Sequence, residues 1–388
     1  MNVTREKPFC LYPWFHMLVR PNGSAVPCCM WQDENDSNIH YSEFMNSEYM
    51  EDFRKRMYTD DLPSRCKSCE SLEEKGIENN QTFANRIARS FRVNGNSGPA
   101  VKSQEVYLSN ICNIKCRSCH SDKSTKWIAE EKKLGLTPTP LQKNSWQLSD
   151  SDANNITFLH FMGGEPLLHQ DQMYTELFKI KAIGREKQVT VMMFTNMTVS
   201  IESKLLDLLL EFKSVQIRAS IDAYGILNDY IRSDSKWEDI ENNILFLDNL
   251  SKTYAHVRYD IVCTLMLLNS NKLDELLQFI EDRLTFKMNR YSFETTFVKR
   301  PAHLDVKNMP ELVKLKVIKK IEETKLKFPK STFVLDKAIS LIRLDRSISE
   351  EEMQRDFIRY NNWLDFSRKQ KFSDANPELY EWLNSSCL

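Results

Sequence analysis

The chain has 388 residues, 41% hydrophobic and 28% charged, with 53 basic residues against 54 acidic ones. That length allows two domains and a sizeable core, the composition argues against extensive disorder, and the charge balance removes the usual electrostatic case for a nucleic-acid binder. The first residues lack a signal-peptide apolar core and no apolar run is long enough to cross a bilayer, so a cytoplasmic, reducing setting without a membrane partner is expected.

Taken in order, Trp14–Arg20 reads as a strand, 21–23 as a turn with Gly23 at positive φ, and 24–26 as the return toward Cys28, a hairpin that brings Cys10 near Cys28. A helical pattern follows from Tyr41 to Tyr58, and Pro63 ends it before Cys66-Lys-Ser-Cys69. A CxxC pair plus two cysteines across a hairpin predicts a four-thiolate site. Its spacing does not choose between zinc, which spacing alone favours, and an iron-sulfur cluster, nor between Cys28 and the adjacent Cys29. Residues 77–100 read as a helix and a polar linker.

Strands and helices then alternate. Strands are expected at 105–111, 156–161, 189–194, 215–221, 257–266 and 291–297, and helices near 122–134, 171–183, 201–212, 237–249, 272–283 and 311–327. Six βα repeats predict an α/β fold with a parallel sheet closed partly or wholly into a barrel, its site on the loops after the strands. The expected domains are a cysteine-rich module over 1–95, the partial barrel over 96–310 and a helical region over 311–388, charged and without a catalytic motif. The long connection from Gly135 to Asp150 is a candidate cover for the barrel mouth.

Eight of the ten cysteines lie in the first 119 residues, which in a reducing compartment reads as metal ligands and not disulfides. Cys263, in an apolar stretch, reads as a core thiol, and Cys387 stands alone. His16, Trp127, Trp146 and Trp237 read as packing residues, and the lysines from 314 to 330 as a solvated helix face.

Three cysteines carry the chemistry. Cys112-Asn-Ile-Lys-Cys116-Arg-Ser-Cys119 follows the first barrel strand and lets three thiolates converge from one loop, so that a four-iron cubane keeps one iron free of protein. After the second strand stands Met162-Gly-Gly164-Glu165-Pro166, whose glycines let backbone approach a ligand closely and whose Glu165 offers an acceptor. A zinc site completed by His120 would not require that second motif.

Together these motifs resemble the radical S-adenosylmethionine (SAM) superfamily, with CxxxCxxC after the first strand and GGEP after the second. Phe194-Thr195-Asn196 and Ser220-Ile-Asp222 are similar to its short motifs after the third and fourth strands. The resemblance implies a [4Fe-4S] cluster on Cys112, Cys116 and Cys119, and SAM bound by Gly163, Gly164 and Glu165 with contacts from Asn196, Ser220 and Asp222. Ser118 departs from the bulky residue common before the third cysteine, which leaves adenine packing to other residues, His120 or Phe161.

The module before the barrel resembles the start of a SPASM or twitch domain, in permuted order. That implies one auxiliary [4Fe-4S] cluster on Cys10, Cys28, Cys66 and Cys69. The implied activity is reductive cleavage of SAM to a 5′-deoxyadenosyl radical that takes hydrogen from a substrate, with an external electron donor such as a flavodoxin or ferredoxin. A peptide is the first candidate substrate and a sugar or other small molecule the second. A metal-bound interaction protein without chemistry is the reading from another class.

Overall fold

The structure is a computed structural model describing residues 5–31, 38–74, 79–285, 293–298 and 300–385. Ile77, Tyr291, Ser292 and Cys387, which figure in the sequence expectations, lie outside these. The chain falls into two compact units. The first comprises Met1–Ile111, Pro140–Met193 and Ile201–Val215, and the second Cys112–Thr139, Phe194–Ser200 and Gln216–Leu388.

The chain opens with a helical turn, α1 (Tyr12–Phe15), set by Pro13, and then the hairpin of β1 (His16–Val19) and β2 (Ala25–Val26). Two helices replace the single one expected from Tyr41 to Tyr58. Ser47 accepts a hydrogen bond from the Met50 amide and so starts α3 (Glu48–Arg56) afresh after α2 (Tyr41–Phe44), as a serine N-cap does. α4 (Lys67–Glu74) and α5 (Asn80–Ser90) complete this part.

β3 (Ser103–Tyr107) pairs in parallel with β1 on one side and with β4 (Phe158–Met162) on the other. The cysteine-rich module therefore contributes a strand to the sheet that carries the three-cysteine loop. All four residues of β1 are buried, the mark of a strand covered on both faces. α6 (Ile128–Lys133) and α7 (Asp150–Asn155) lie between β3 and β4 in the chain, and α8 (Gln170–Ala182) follows β4.

The alternation continues through β5 (Thr190–Thr195), α9 (Ser203–Leu209), β6 (Ser214–Ser220), α10 (Gly225–Ile231), α11 (Trp237–Thr253), β7 (Val257–Leu265), α12 (Leu273–Arg283) and β8 (Phe293–Phe297). The sheet has eight strands in the order β2-β1-β3-β4-β5-β6-β7-β8. It is mostly parallel, and the barrel is not closed. Along β4 and β6 every second residue is buried while its neighbours stay half-open, so one face joins the core and the other is left for a site.

The last region is helical, as expected: α13 (Glu311–Lys327), α14 (Thr332–Ile342), α15 (Glu350–Arg368), α16 (Phe372–Ala375) and α17 (Pro377–Ser385). Lys314 departs from the expected solvated face, being 7% exposed. Cys263, His16, Trp127 and Trp146 are buried, whereas Trp237 is half-buried against Tyr224 and Phe279. Among the described residues no helix is long and apolar enough to cross a membrane.

Candidate functional site

In the second unit, the loop from Cys112 to Cys119 is held at its peptide groups from Ile114 to Arg117. The Lys115 and Arg117 amides donate to the carbonyls of Ser233 and Ile231, at 2.9 and 2.7 Å. Ser124 Oγ and Trp127 Nε1 donate to the carbonyls of Ile114 and Cys116, at 2.7 and 3.0 Å. Cys116 and Cys119 are pushed up by burial first, and Cys119 next by Cys116 and Cys112.

Asn196, at the turn after β5, donates its amide to Asn113 Oδ1 at 2.9 Å and to Cys112 Sγ at 3.7 Å. The Thr198 amide and hydroxyl fix its oxygen, at 2.9 and 2.6 Å. Asp222 is 2% exposed. One carboxylate oxygen accepts from Arg232 Nη1 at 2.7 Å and the other from the Thr264 amide at 2.8 Å, and the Cys116 thiol is drawn down by Arg232 after burial has raised it. Asp222 thus sets a cation beside the cysteines. Ser220 ends β6, half-buried.

In the first unit, the turn after β4 closes on the end of β3. The Gly164 amide donates to Ser109 O and the Glu165 amide to Ile111 O, both at 2.9 Å. A Cβ on Gly163, at φ +140°, would meet Ser109 O at 2.7 Å, and one on Gly164 would meet Ile111 O at 2.2 Å. Only glycine fits that approach. Glu165 is 1% exposed and accepts the Leu167 amide at 3.0 Å. Ser109 Oγ bonds His169 Nε2 at 2.6 Å. Ile111, on which the turn closes, immediately precedes Cys112.

The same unit gathers the N-terminal cysteines. Cys10, Cys28, Cys66 and Cys69 are all buried. Burial is the main force raising each thiol, and beyond it Cys66 and Cys69 raise Cys10 while Cys29 and Cys10 raise Cys28. Cys29 stands among them, half-buried, pushed up to about 12 by burial first, its sulfur taking the Asn80 amide at 3.2 Å.

Residues 93–223 match the family model of a 4Fe-4S single cluster domain, and residues 10–70 match that of SPASM, an iron-sulfur cluster-binding domain. The chain thus carries two regions similar to iron-sulfur cluster domains, the N-terminal one matching SPASM. Among solved structures, native anSMEcpe with bound AdoMet is similar at 17% identity over 59% of this chain and 60% of that one, with a TM-score of 0.40. Native anSMEcpe with bound AdoMet and Cp18Cys peptide is similar at 16% identity over 62% and 61%, with a TM-score of 0.40. Streptococcus suis SuiB bound to S-adenosylmethionine is similar at 13% identity over 67% and 58%, with a TM-score of 0.39. The chain spans about 60% of the length of these solved structures. No curated protein matches it.

Thiols gathered in this way are donor sets of the kind that hold iron-sulfur clusters. The nine cysteines among the described residues form no disulfide. Among those residues no group of three His, Cys, Asp or Glu side chains is arranged to hold a single metal ion.

Two supports of these sites escape the sequence motifs. In the SPASM domain, Asn79 and Asn80, read from sequence as part of a helix and linker, brace the cysteines: Asn79 Nδ2 donates to Cys69 O at 3.1 Å. Further along α5, Gln81 and Asn85 pin Phe9 O, and Asn85 also takes the Leu11 amide, so both neighbours of Cys10 are fixed. In the second unit, Arg117 is fully buried, donates to Tyr230 O and Asn361 Oδ1 at 2.9 and 3.1 Å, and pairs with Asp365 at 2.5 Å. Tyr360 donates to Arg117 O at 2.7 Å. Spacing could signal neither set, because the partners lie up to 248 residues apart.

Proposed function

We propose that this protein is an enzyme that cleaves SAM reductively at a cluster on Cys112, Cys116 and Cys119 and takes a hydrogen atom from a peptide. The observation that carries this reading is the Gly163–Glu165 turn, closed on the backbone of Ser109 and Ile111 just before the three-cysteine loop. The cluster and SAM, once bound, would supply one-electron cleavage of the sulfonium–C5′ bond with an electron from an external donor, yielding methionine and, after the hydrogen is taken, 5′-deoxyadenosine.

The chain's own residues position and shield. Gly163 and Gly164 let the turn press against the backbone of Ser109 and Ile111, and with Glu165 the turn would receive SAM's amino group. The Asn196 amide points to Cys112 Sγ, and an N–H directed at a ligand sulfur steadies its thiolate. Ser220 and Asp222 complete the proposed SAM contacts, Asp222 also through its hold on Arg232. Cys10, Cys28, Cys66 and Cys69 would hold the auxiliary cluster, leaving Cys29 to its bond with Asn80. A peptide substrate rests on the resemblance of this module and barrel to peptide-modifying members of the family, and a flavodoxin or ferredoxin would supply the electron.

The test is anaerobic reconstitution, then addition of SAM and a strong reductant. 5′-Deoxyadenosine should form and Cys112→Ala should abolish it. A fully loaded protein that forms none overturns the reading.

A further inference from the structure

Resting on that reading, we infer that Arg368, at the end of α15, is a positioning residue for the catalytic cluster, and that with Glu130 it sets the charge the cluster meets on reduction. The side chain is 1% exposed. Its Nη1 donates to Lys115 O, inside the three-cysteine loop, and to Ser233 Oγ, both at 2.9 Å. Its Nε and Nη2 grip both oxygens of Glu130, at 3.1 and 2.6 Å. The guanidinium lies 4.8 Å from the ring centroid of Trp127, and the indole of that residue donates to Cys116 O at 3.0 Å.

A surface ion pair adds little, but this one is dry and every bond is directed. Five contacts on one planar group leave it a single position, and three of them end on the backbone or support of the loop. Arg117 reaches the opposite way, from the loop to Asp365 on the same helix. The region without a motif of its own therefore grips the loop from both directions.

Charge gives the arrangement a second role. Reduction adds one negative charge to a cluster whose thiolates are already anionic, and charges placed in a low-dielectric surround bear on that step. Arg368 puts its cation on the carbonyl of Lys115, the residue before Cys116. Glu130 carries the opposite charge on the same pair, and Lys115 Nζ, 3.3 Å away, also leans on it. Removing the cation should make reduction harder, and removing the anion should make it easier.

The experiment uses the full chain reconstituted anaerobically, with iron content, the electron paramagnetic resonance of the reduced catalytic cluster in a redox titration, and 5′-deoxyadenosine as readouts. Arg368→Gln should shift the midpoint potential down and slow product formation by about 10-fold or more, the scale typical of outer partners of metal ligands. Glu130→Gln should shift the potential up, and Arg368→Lys, which keeps the charge and loses the fork, should stay near the parent potential. The auxiliary cluster's signal, unchanged, reports that the chain has folded.

Shifts in the same direction for the Arg368→Gln and Glu130→Gln variants, or none, overturn the inference while leaving the proposed function standing. If Arg368→Gln takes up no catalytic cluster, Glu130→Gln must still rise. A parent protein that loads its cluster and forms no 5′-deoxyadenosine overturns the proposed function, and the inference with it.

Discussion

At the level of single residues, the tightest constraint is Gly164. A methyl group there would stand 2.2 Å from Ile111 O, and the obstacle is backbone, which cannot swing aside. Gly164→Ala should therefore cost roughly 1–3 kcal/mol, the range of strained or overpacked sites, and should displace the turn that is proposed to receive SAM. Thermal melting of the apo chain and SAM binding by calorimetry measure the two effects, and a variant that melts and binds like the parent would refute the account. Gly164 was legible in the sequence, as were the cysteines, because a ligand loop and a close backbone approach impose residue types at fixed spacing. Arg232 and Asn80 were not. An arginine or asparagine has many uses, and only folding reveals that one lies beside Cys116 and the other against Cys29.

Among the elements, α5 shows how a short helix can brace a group of cysteines. Asn79 accepts the Gln81 and Thr82 amides at 2.8 and 3.3 Å, and Thr82 Oγ1 returns the bond to the Asn79 amide at 2.8 Å, a reciprocal cap. The remaining arm of Asn79 reaches Cys69 O. Asn79→Ala should destabilise the protein by about 1 kcal/mol, read from the denaturant midpoint, and should loosen the auxiliary cluster, read as faster iron loss to a chelator. Asn79→Asp keeps the cap and loses the donor, so it should restore stability without restoring iron retention. Element type was largely legible, since β4 to β7 and their helices repeat apolar residues at periods near two and near four. The place of β1 in the sheet was not, because four buried residues carry no period and its partner β3 lies 87 positions on. The split between α2 and α3 turned on one serine cap inside an otherwise helical pattern.

For the molecule as a whole, two buried histidines predict an acid-sensitive fold in the apo chain. Burial lowers His16 to about 3 and His303 to about 4, whereas an unfolded histidine titrates near 6.5. The unfolded chain then binds more protons below that pH, so stability is complete above about 6.5 and falls as the pH is lowered toward 3 or 4, by about 1.4 kcal/mol per pH unit for each histidine. Urea midpoints between pH 7 and 5 should show that slope, and His16→Gln should reduce it; a flat profile would contradict the buried neutral state. The two cysteine sets lie in different compact units, Cys10 to Cys69 in one and Cys112 to Cys119 in the other, and share no ligand. Their clusters should therefore load independently. Anaerobic protein should carry about eight irons per chain, and Cys116→Ala and Cys66→Ala should each retain about half, from opposite sites. The first variant should lose 5′-deoxyadenosine formation altogether, while the second keeps SAM cleavage but no longer couples it to substrate. About four irons with one equivalent of zinc in the parent would place zinc in the SPASM domain, and loss of all iron from either variant would refute independent loading.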